Sequence, residues 1–410
     1  MLFGPAGSPS RSSCPCSIMR IGVDLTAWTD DGGYGRFTRE TLRALVQSQP
    51  NHEYYFFADP REIDSMELPA RNVRWCPVEL SSPPLVAARN GGRPLSDHWR
   101  LWRKAKSIAK EEHLRAMFYP TVHSWFPAPL GLPSLVAVHD PILDPLLKMG
   151  LDKSSRRRQL KWKSALARKR ATALLCTSDW AKEQLSRTTG YDAGRIVVAP
   201  QAPSDVFQAP VTEAEIEAAR TRANLPPGER YFVFVGSFHG HKNVQSLVRA
   251  HALLTRDMEK PPYLVLVGDE TGEWFRTNVP DLRVAIRSGN TESIVRWTGQ
   301  VTDEELRGLY AGSIANCLPS YVESFGLTAV EAAACGVPSL VTTQSPLPEM
   351  LGEEGCLPID PHNLATLVSA LEQSLGSEEQ RAAMGAVARE AVSHLDWRHT
   401  AQKVSISLAD

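Results

Sequence analysis

Short runs of β-branched and aromatic residues alternate with helical stretches along almost the whole chain. Each run has the length of a buried strand and is followed by a segment with helical periodicity. The strand candidates of the first half are 20–25, 53–58, 73–77, 116–119, 134–138 and 174–177, and those of the second half are 231–235, 263–267, 294–298, 314–318 and 338–342. This alternation predicts an α/β protein whose parallel sheets are covered by helices on both faces. Thr302, with Glu305 three residues later, predicts a capping box at the start of one helix in the second half.

Length and composition narrow the architecture and the class of partner. The chain has 410 residues, which is too long for one ordinary core and suits two domains of roughly 200 residues each. Its net charge of −1 gives no overall attraction to nucleic acid, so we predict no nucleic-acid partner. No apolar run approaches the roughly 20 residues that a membrane-spanning helix needs.

The cysteines indicate the cellular compartment, and the composition of the first residues indicates whether they are ordered. Seven cysteines are odd in number and scattered, without the paired spacing of a metal site, so we predict a reducing cytoplasm and no metal. Residues 1–18 are rich in Gly, Pro, Ser and Arg, and offer little apolar surface to offset the entropy of ordering them. We expect these residues to form a disordered tail.

Two glutamates, Glu323 and Glu331, lie at the start of one predicted helix. The first backbone N–H groups of a helix have no intrahelical partners, and that positive end suits a diphosphate. Gly326 lets the backbone approach such a ligand closely. Glu331 is placed to accept hydrogen bonds from ribose hydroxyls, and Glu323 to face a sugar. The alternative is an ordinary helix–strand unit with two incidental glutamates.

Two further side chains follow predicted strands. Lys242 comes after a turn at Gly236, where an ammonium group can neutralise a leaving diphosphate, and Asn243 is placed to open the next helix. His139 ends another strand, beside Asp140. A role at a reacting sugar and a structural role, with the ring bonded to a backbone carbonyl, remain open for His139.

These motifs occur in the order in which a known family has them. They are Ile21-Gly-Val-Asp24, Gly32-Gly33-Tyr34-Gly35-Arg36, Val138-His139-Asp140-Pro141, Gly236-Ser237-Phe-His-Gly-His241-Lys242-Asn243, Leu318-Pro319-Ser320, the pair Glu323 and Glu331, Leu347-Pro348-Glu349, and Asp396-Trp397. The chain resembles the retaining glycosyltransferases of the two-Rossmann-domain (GT-B) type, specifically glycosyltransferase family 4 with its E-x7-E signature.

The resemblance implies two doubly wound Rossmann-like domains that face each other across a cleft. We predict an N-terminal acceptor-side domain at 19–203, a nucleotide-sugar-binding domain at 204–390, and a C-terminal helix at 391–410 that crosses back to the first domain. The implied catalytic residues are His139, Glu323 and Lys242. The implied donor-binding residues are Gly236, Ser237, His241, Lys242, Ser324, Phe325, Gly326, Leu327, Thr328 and Glu331. The implied acceptor-side residues are Gly32, Gly33, Tyr34, Gly35, Arg36 and Asp140.

The implied reaction transfers a hexose from a nucleotide-diphosphate sugar to a hydroxyl of a glycan or lipid-linked acceptor in polysaccharide biosynthesis. It needs no cofactor and no metal, and it retains the anomeric configuration. The loop around Lys242 is most similar to that of bacterial mannosyltransferases, so GDP-mannose is the predicted donor. His241 and Ser237 stand where the family often has an arginine, which leaves the phosphate clamp one permanent charge short unless another residue such as Arg249 or Arg36 compensates. The alternatives are a nucleotide-sugar 2-epimerase and a catalytically weak subunit that binds a nucleotide sugar.

Basic residues are concentrated in residues 148–170, which begin near Lys148 and end at Arg170. Trp162 and several leucines are interleaved with them. Such a segment is typical of a basic amphipathic helix that contacts anionic lipid or the phosphate of a lipid-linked acceptor. A peripheral position on the inner face of the membrane follows from that interpretation. The alternative is a solvated helix face.

Overall fold

The computed structural model describes residues 18–30, 32–64, 66, 68, 70–79, 95–122, 124, 126, 130–139, 165–270 and 278–409. Three predictions fall wholly or mainly outside these residues. They concern the tail before residue 18, Asp140, and the basic segment up to residue 164.

The first domain is built on a seven-stranded parallel sheet with the order β3-β2-β1-β4-β5-β6-β7. Its strands are β1 (Arg20–Asp24), β2 (Glu53–Ala58), β3 (Val73–Pro77), β4 (Ala116–Tyr119), β5 (Ser134–Ala137), β6 (Ala173–Cys176) and β7 (Ile196–Val198). The central strands are buried on both faces, which explains why they read as continuous apolar runs. The strand order reverses between β1 and β4, and parallel α/β sheets place their ligands at such a switch point.

Helices cover this sheet and continue into the interdomain connection. They are α1 (Gly33–Ser48), α2 (Pro60–Ile63), α3 (Leu95–Glu111), α4 (Asp179–Thr189), α5 (Asp205–Gln208) and α6 (Glu213–Arg222). Helix α1 begins at Gly33, inside the glycine-rich segment, so most of the predicted loop is the first turn of this helix and its N-terminus lies at the carboxyl edge of the sheet. Helix α6 starts at a capping box in which Thr212 and Glu215 bond each other's backbone N–H groups.

The second domain has a six-stranded parallel sheet with the order β10-β9-β8-β11-β12-β13. Its strands are β8 (Tyr231–Val235), β9 (Tyr263–Val267), β10 (Val295–Gly299), β11 (Asn316–Leu318), β12 (Ser339–Thr342) and β13 (Cys356–Ile359). The order reverses between β8 and β11. The loops that carry Lys242 and Glu323 follow these two neighbouring strands, so the topology brings both loops to one switch point.

Eight helices complete the described part of this domain and the C-terminus. They are α7 (Val244–Thr255), α8 (Val279–Ser288), α9 (Asp303–Ala311), α10 (Leu327–Ala334), α11 (Leu347–Leu351), α12 (Leu364–Ser374), α13 (Glu378–Val392) and α14 (Trp397–Ala409). Helix α9 opens at the predicted capping box, with the Thr302 hydroxyl and the Glu305 carboxylate in the reciprocal arrangement. That prediction is confirmed.

The last helix, α14, packs along α1 of the first domain. The ring of Trp397 meets the edge of Phe37 with centroids 6.1 Å apart. The hydroxyl of Thr400 donates to the Pro200 carbonyl, which lies in the connection between the domains. The C-terminal segment therefore joins the two halves of the molecule.

The α/β class with two doubly wound parallel sheets is confirmed. The sequence pattern missed the edge strands β7 and β13. Strand β7 has only three residues, and β13 contains Pro358, which disfavours a strand assignment except at a sheet edge. Within the described residues, no helix combines the length and apolar character needed to cross a bilayer.

Candidate active site

The predicted residues Lys242 and Glu323 meet in the cleft. The Lys242 ammonium donates to Glu323 Oε1 at 2.6 Å, and the hydroxyl of Ser320 donates to the same oxygen at 2.7 Å. Glu323 is buried, with 9% of its surface exposed, while Lys242 is partly exposed. A buried carboxylate that accepts from two donors is held in one orientation.

Asn243 fixes the loop that carries Lys242. Its side-chain amide donates to the carbonyls of Pro319 and Pro361, at 3.1 and 3.0 Å. Its backbone is left-handed, with φ of 53°, directly before helix α7. Asn243 does open the helix, as predicted, but its side chain ties the donor loop to the loops after β11 and β13. Lys242 is thereby positioned by a buried neighbour.

Helix α10 begins with its free N–H groups at the same edge. Gly326 is the residue before its first turn and has φ of +84°, a conformation that favours glycine. A Cβ at this position would lie 2.5 Å from Leu347 Cδ1. Phe325 is buried, whereas Leu327 and Thr328 are partly exposed at the helix entry. Glu323, which contacts Lys242, lies three residues before Gly326, so the helix entry follows this contact closely along the chain, and its first N–H groups suit an anion.

Glu331 lies on α10 and is 2% exposed. Its Oε1 atom accepts no hydrogen bond. Burial raises the pKa of Glu331 to about 7; the positive charge of Arg36 opposes this rise, and Asp303 adds to it. The same oxygen lies within ion-pair distance of the Arg36 guanidinium, so the carboxylate is held at the boundary between the two domains.

Arg36 reaches across the cleft from α1 to the second domain. Its guanidinium forms a bidentate pair with Asp303, with N–O distances of 2.8 and 2.5 Å. Its Nε lies 3.3 Å from Glu331 Oε1, and one terminal nitrogen donates to the Ser204 hydroxyl at 3.2 Å. Although burial lowers the pKa of Arg36, the two carboxylates outweigh it and the net effect is a rise. The predicted acceptor-side residue thus contacts the second domain.

His139 lies at the carboxyl end of β5 and is 6% exposed. Its Nε2–H donates to the Pro120 carbonyl at 2.7 Å, which fixes the tautomer because a carbonyl only accepts. The ring stacks edge-on against Phe37 at 4.6 Å and contacts Tyr34 at 5.2 Å. The carbonyl contact expected of a structural histidine is present. The glycine-rich loop and the histidine loop are brought together.

The glycine-rich loop is held by Asp30. Its Oδ1 accepts from the backbone N–H of Gly32 at 2.9 Å, and its carbonyl accepts from Arg39 at 2.8 Å. Gly35 is buried against this carbonyl, and a Cβ at Gly35 would lie 1.7 Å from the oxygen. Gly33 is exposed, and a Cβ there would meet nothing within 4 Å.

We therefore expect Gly35→Ala to destabilise the protein by about 1–3 kcal/mol, because the backbone of the loop must move to admit the methyl group. Gly33→Ala, on the same helix, is the matched control and is expected to be neutral or slightly stabilising. Urea unfolding of both variants measures the difference. Equal free energies of unfolding for the two variants would show that the loop can admit a methyl group at Gly35 without cost.

His241 and Ser237 stand at the positions where the family often has an arginine, and neither side chain carries that permanent positive charge. Ser237 shares a hydrogen bond of 3.1 Å with the ring of His239. The rings of His239 and His241 lie 5.7 Å apart, and the His241 carbonyl accepts from the backbone N–H of Tyr321 at 2.8 Å. The loop thus links back to the segment before Glu323.

Sequence reasoning missed several residues that contact the predicted ones. Ser178 caps α4 and donates to the Ser324 carbonyl at 2.7 Å, so the first domain also contacts the E-x7-E segment. Ser204 and Asp303 hold Arg36, and Ser320 holds Glu323. The proline–serine pair before Glu323 is a local signal for Ser320. Ser178 and Asp303 have no such local signal, because the contact that each makes crosses the domain boundary.

Comparison with models of known protein families identifies the family that each half of the chain matches. Residues 31–202 match the family model Glycosyltransferase Family 4, and residues 215–391 match the model of glycosyl transferases group 1. The chain belongs to these two glycosyltransferase families, with family 4 in its first half and group 1 in its second. The first match covers strands β2 to β7 and the second covers β8 to β13, and together they include the glycine-rich segment, His139, Lys242 and both glutamates of the E-x7-E motif.

Curated relatives in this family include two from bacteria. The chain is 31% identical to O-antigen chain mannosyltransferase B of Escherichia coli over 212 residues, which are 52% of this chain and 53% of that protein. It is 27% identical to D-inositol 3-phosphate glycosyltransferase of Pseudarthrobacter chlorophenolicus over 386 residues, 91% of this chain and 89% of that protein. The chain thus spans about half the length of the first relative.

Among solved structures, HepE of Anabaena in complex with UDP-glucose has a similar GT-B fold. The TM-score is 0.72 at 17% identity, and the match covers 96% of this chain and 99% of that one. At this identity the likeness shows the shared fold.

Proposed function

We propose that this GT-B family member transfers a hexose from a nucleotide-diphosphate sugar to a hydroxyl of a glycan or lipid-linked acceptor, with retention at the anomeric carbon. The observation that carries the proposal is the contact between Lys242 and Glu323 beside the N-terminus of α10. This arrangement offers one cation, free backbone N–H groups and an oriented carboxylate within one cleft. Those are the groups that a sugar diphosphate needs.

In the proposed reaction, Lys242 and the N–H groups at the entry of α10 stabilise the negative charge that develops on the leaving diphosphate. Glu323 accepts hydrogen bonds from the sugar hydroxyls, and Glu331 from the ribose. The acceptor oxygen forms its bond to the anomeric carbon on the face from which the diphosphate leaves, as the bond to the diphosphate oxygen breaks, and the acceptor hydroxyl proton passes to the leaving diphosphate. No metal is needed in this scheme, because the cation and the helix terminus supply the positive field.

GDP-mannose is the proposed donor, and polysaccharide biosynthesis the proposed context. The name of the relative from E. coli, a mannosyltransferase, supports both. The complex of HepE with UDP-glucose supports nucleotide-sugar binding. Its nucleotide is UDP rather than GDP, so the base that this chain prefers is determined by experiment. Calorimetric titration with GDP-, UDP- and ADP-sugars identifies the base, and proton NMR of the product identifies the anomer.

The same titrations separate the two alternatives. Isomerised sugar formed without an acceptor would support a nucleotide-sugar 2-epimerase. Tight nucleotide-sugar binding with no turnover on any glycan or lipid-linked acceptor would support a binding subunit. A chain that binds no nucleotide sugar would overturn the proposed function.

The basic segment of residues 148–170 adds a proposed contact with anionic membrane. Each basic residue near such a surface contributes about 1 kcal/mol, and salt screens the contribution. Binding to anionic vesicles is therefore expected to weaken with salt and on changing Arg156, Arg157 and Arg158 to Gln. Co-sedimentation with neutral vesicles is the control. Equal retention on both kinds of vesicle would leave a solvated face.

A further inference from the structure

Arg36 is the feature of the cleft that the proposed chemistry does not use. It lies on α1 of the first domain, in the glycine-rich segment that the resemblance assigns to the acceptor side. Its guanidinium nevertheless lies between two carboxylates of the second domain, Asp303 and Glu331. It also lies over the ring of Phe207, 5.5 Å from its centroid. A planar cation held on three sides is fixed in orientation.

Glu331 has a chemical requirement that Arg36 meets. A ribose-binding carboxylate acts by accepting hydrogen bonds, and it does so best when it is ionised. Glu331 is almost fully buried, and burial disfavours the ionised form. A cation within ion-pair distance favours the ionised form, and Arg36 Nε lies 3.3 Å from Glu331 Oε1.

The remaining groups around Glu331 do not replace this cation. Glu40 of α1 and Asp303 of α9 are both acidic and raise the pKa of Glu331 further. Tyr310 of α9 and Cys335 at the end of α10 have raised pKa values, chiefly through burial, and stay neutral at pH 7. Among these groups, Arg36 supplies the positive charge.

We propose that Arg36 is a positioning residue for donor binding: it reaches from the first domain to keep the Glu331 carboxylate ionised and oriented toward the ribose. The acceptor-side domain thereby completes the donor site of the other domain. The inference rests on the proposed function, because it assumes that Glu331 binds a nucleotide. Arg36 acts through Glu331 and needs no contact with the sugar.

The test is the pH dependence of donor affinity in the full-length chain. Calorimetric titration with the best-binding nucleotide sugar from pH 6 to 8.5 is expected to show affinity falling below about pH 7, where Glu331 takes up a proton. Arg36→Gln should move this midpoint upward. A shift of about one unit lowers affinity about fivefold at pH 7 and leaves it nearly unchanged at pH 8.5 and above.

Three single variants and one double variant make the test specific. Arg36→Lys keeps the charge and is expected to keep the midpoint near that of the wild type. Glu331→Gln cannot ionise, so the midpoint in the pH dependence of donor affinity should disappear. Adding Arg36→Gln to Glu331→Gln should cause no further loss of donor affinity. Arg20→Gln is the matched control, because Arg20 pairs with Glu53 at 2.9 Å at the opposite end of β1. It should leave the profile unchanged.

Two outcomes would overturn the proposal. Tighter donor binding by Arg36→Gln would mean that Arg36 competes with the ribose for Glu331. An equal loss at every pH would mean that Arg36 serves only as a structural tie. A readout without donor separates this inference from the proposed function: carbon-13 NMR of the Glu331 carboxyl, assigned through Glu331→Gln, should show its titration moving upward in Arg36→Gln. An unmoved titration would refute the inference even if no nucleotide sugar binds.

Discussion

Replacing Lys242 with alanine is expected to lower kcat by about a hundredfold or more. The ammonium group lies beside the entry of α10, where it can meet the charge that develops on the leaving diphosphate, and it is already oriented by Glu323 at 2.6 Å. Because that charge is greater in the transition state than in the bound donor, donor affinity should fall much less than kcat. Initial-rate kinetics and calorimetry on one preparation measure both quantities.

Two companion variants sharpen the Lys242 experiment. Lys260→Ala removes an exposed lysine of the same domain and should leave kcat unchanged. His241→Arg restores a permanent charge next to Lys242 and is expected to preserve or raise turnover. A Lys242→Ala variant with wild-type kcat would show that the loop is only structural. A loss confined to donor affinity would show that Lys242 binds the ground state and the transition state equally.

Much of the architecture could be predicted from local patterns, because each strand and each capping box is encoded by adjacent residues. The runs that became β2, β8 and β9 have the predicted bounds, and Thr302 caps α9 as expected. The contact between Lys242 and Glu323 spans 81 residues, yet it follows from the topology, since their loops leave neighbouring parallel strands.

Contacts across the cleft could not be predicted in the same way. Arg36 and Asp303 are 267 residues apart and lie in different domains, so no periodicity or motif relates them. The hydroxyl of Ser178 caps α4, and only the relative placement of the domains shows that it also donates to the Ser324 carbonyl. The amide of Asn243 similarly reads as a cap and is instead used between two loops.

Replacing Glu331 with alanine is expected to weaken donor binding by about 1.5–3 kcal/mol, which corresponds to about 10–150-fold in Kd. The carboxylate is buried on α10, where a ribose hydroxyl that donates to it would form a charge-assisted hydrogen bond. Calorimetry with the preferred nucleotide sugar measures the change. Glu354→Ala, at an exposed glutamate of the same domain, is the control and should bind as the wild type does.

A donor that lacks a ribose hydroxyl tests the assignment of Glu331 directly. The wild type should bind the 2′-deoxy or 3′-deoxy form of the nucleotide sugar less tightly than the ribose form, because the hydrogen bond to Glu331 is lost. In Glu331→Ala the two forms should bind equally, since neither has the carboxylate as a partner. If the variant still discriminated between them as the wild type does, the ribose would be bound elsewhere and the buried Glu331 would serve the interdomain ion pair with Arg36 alone.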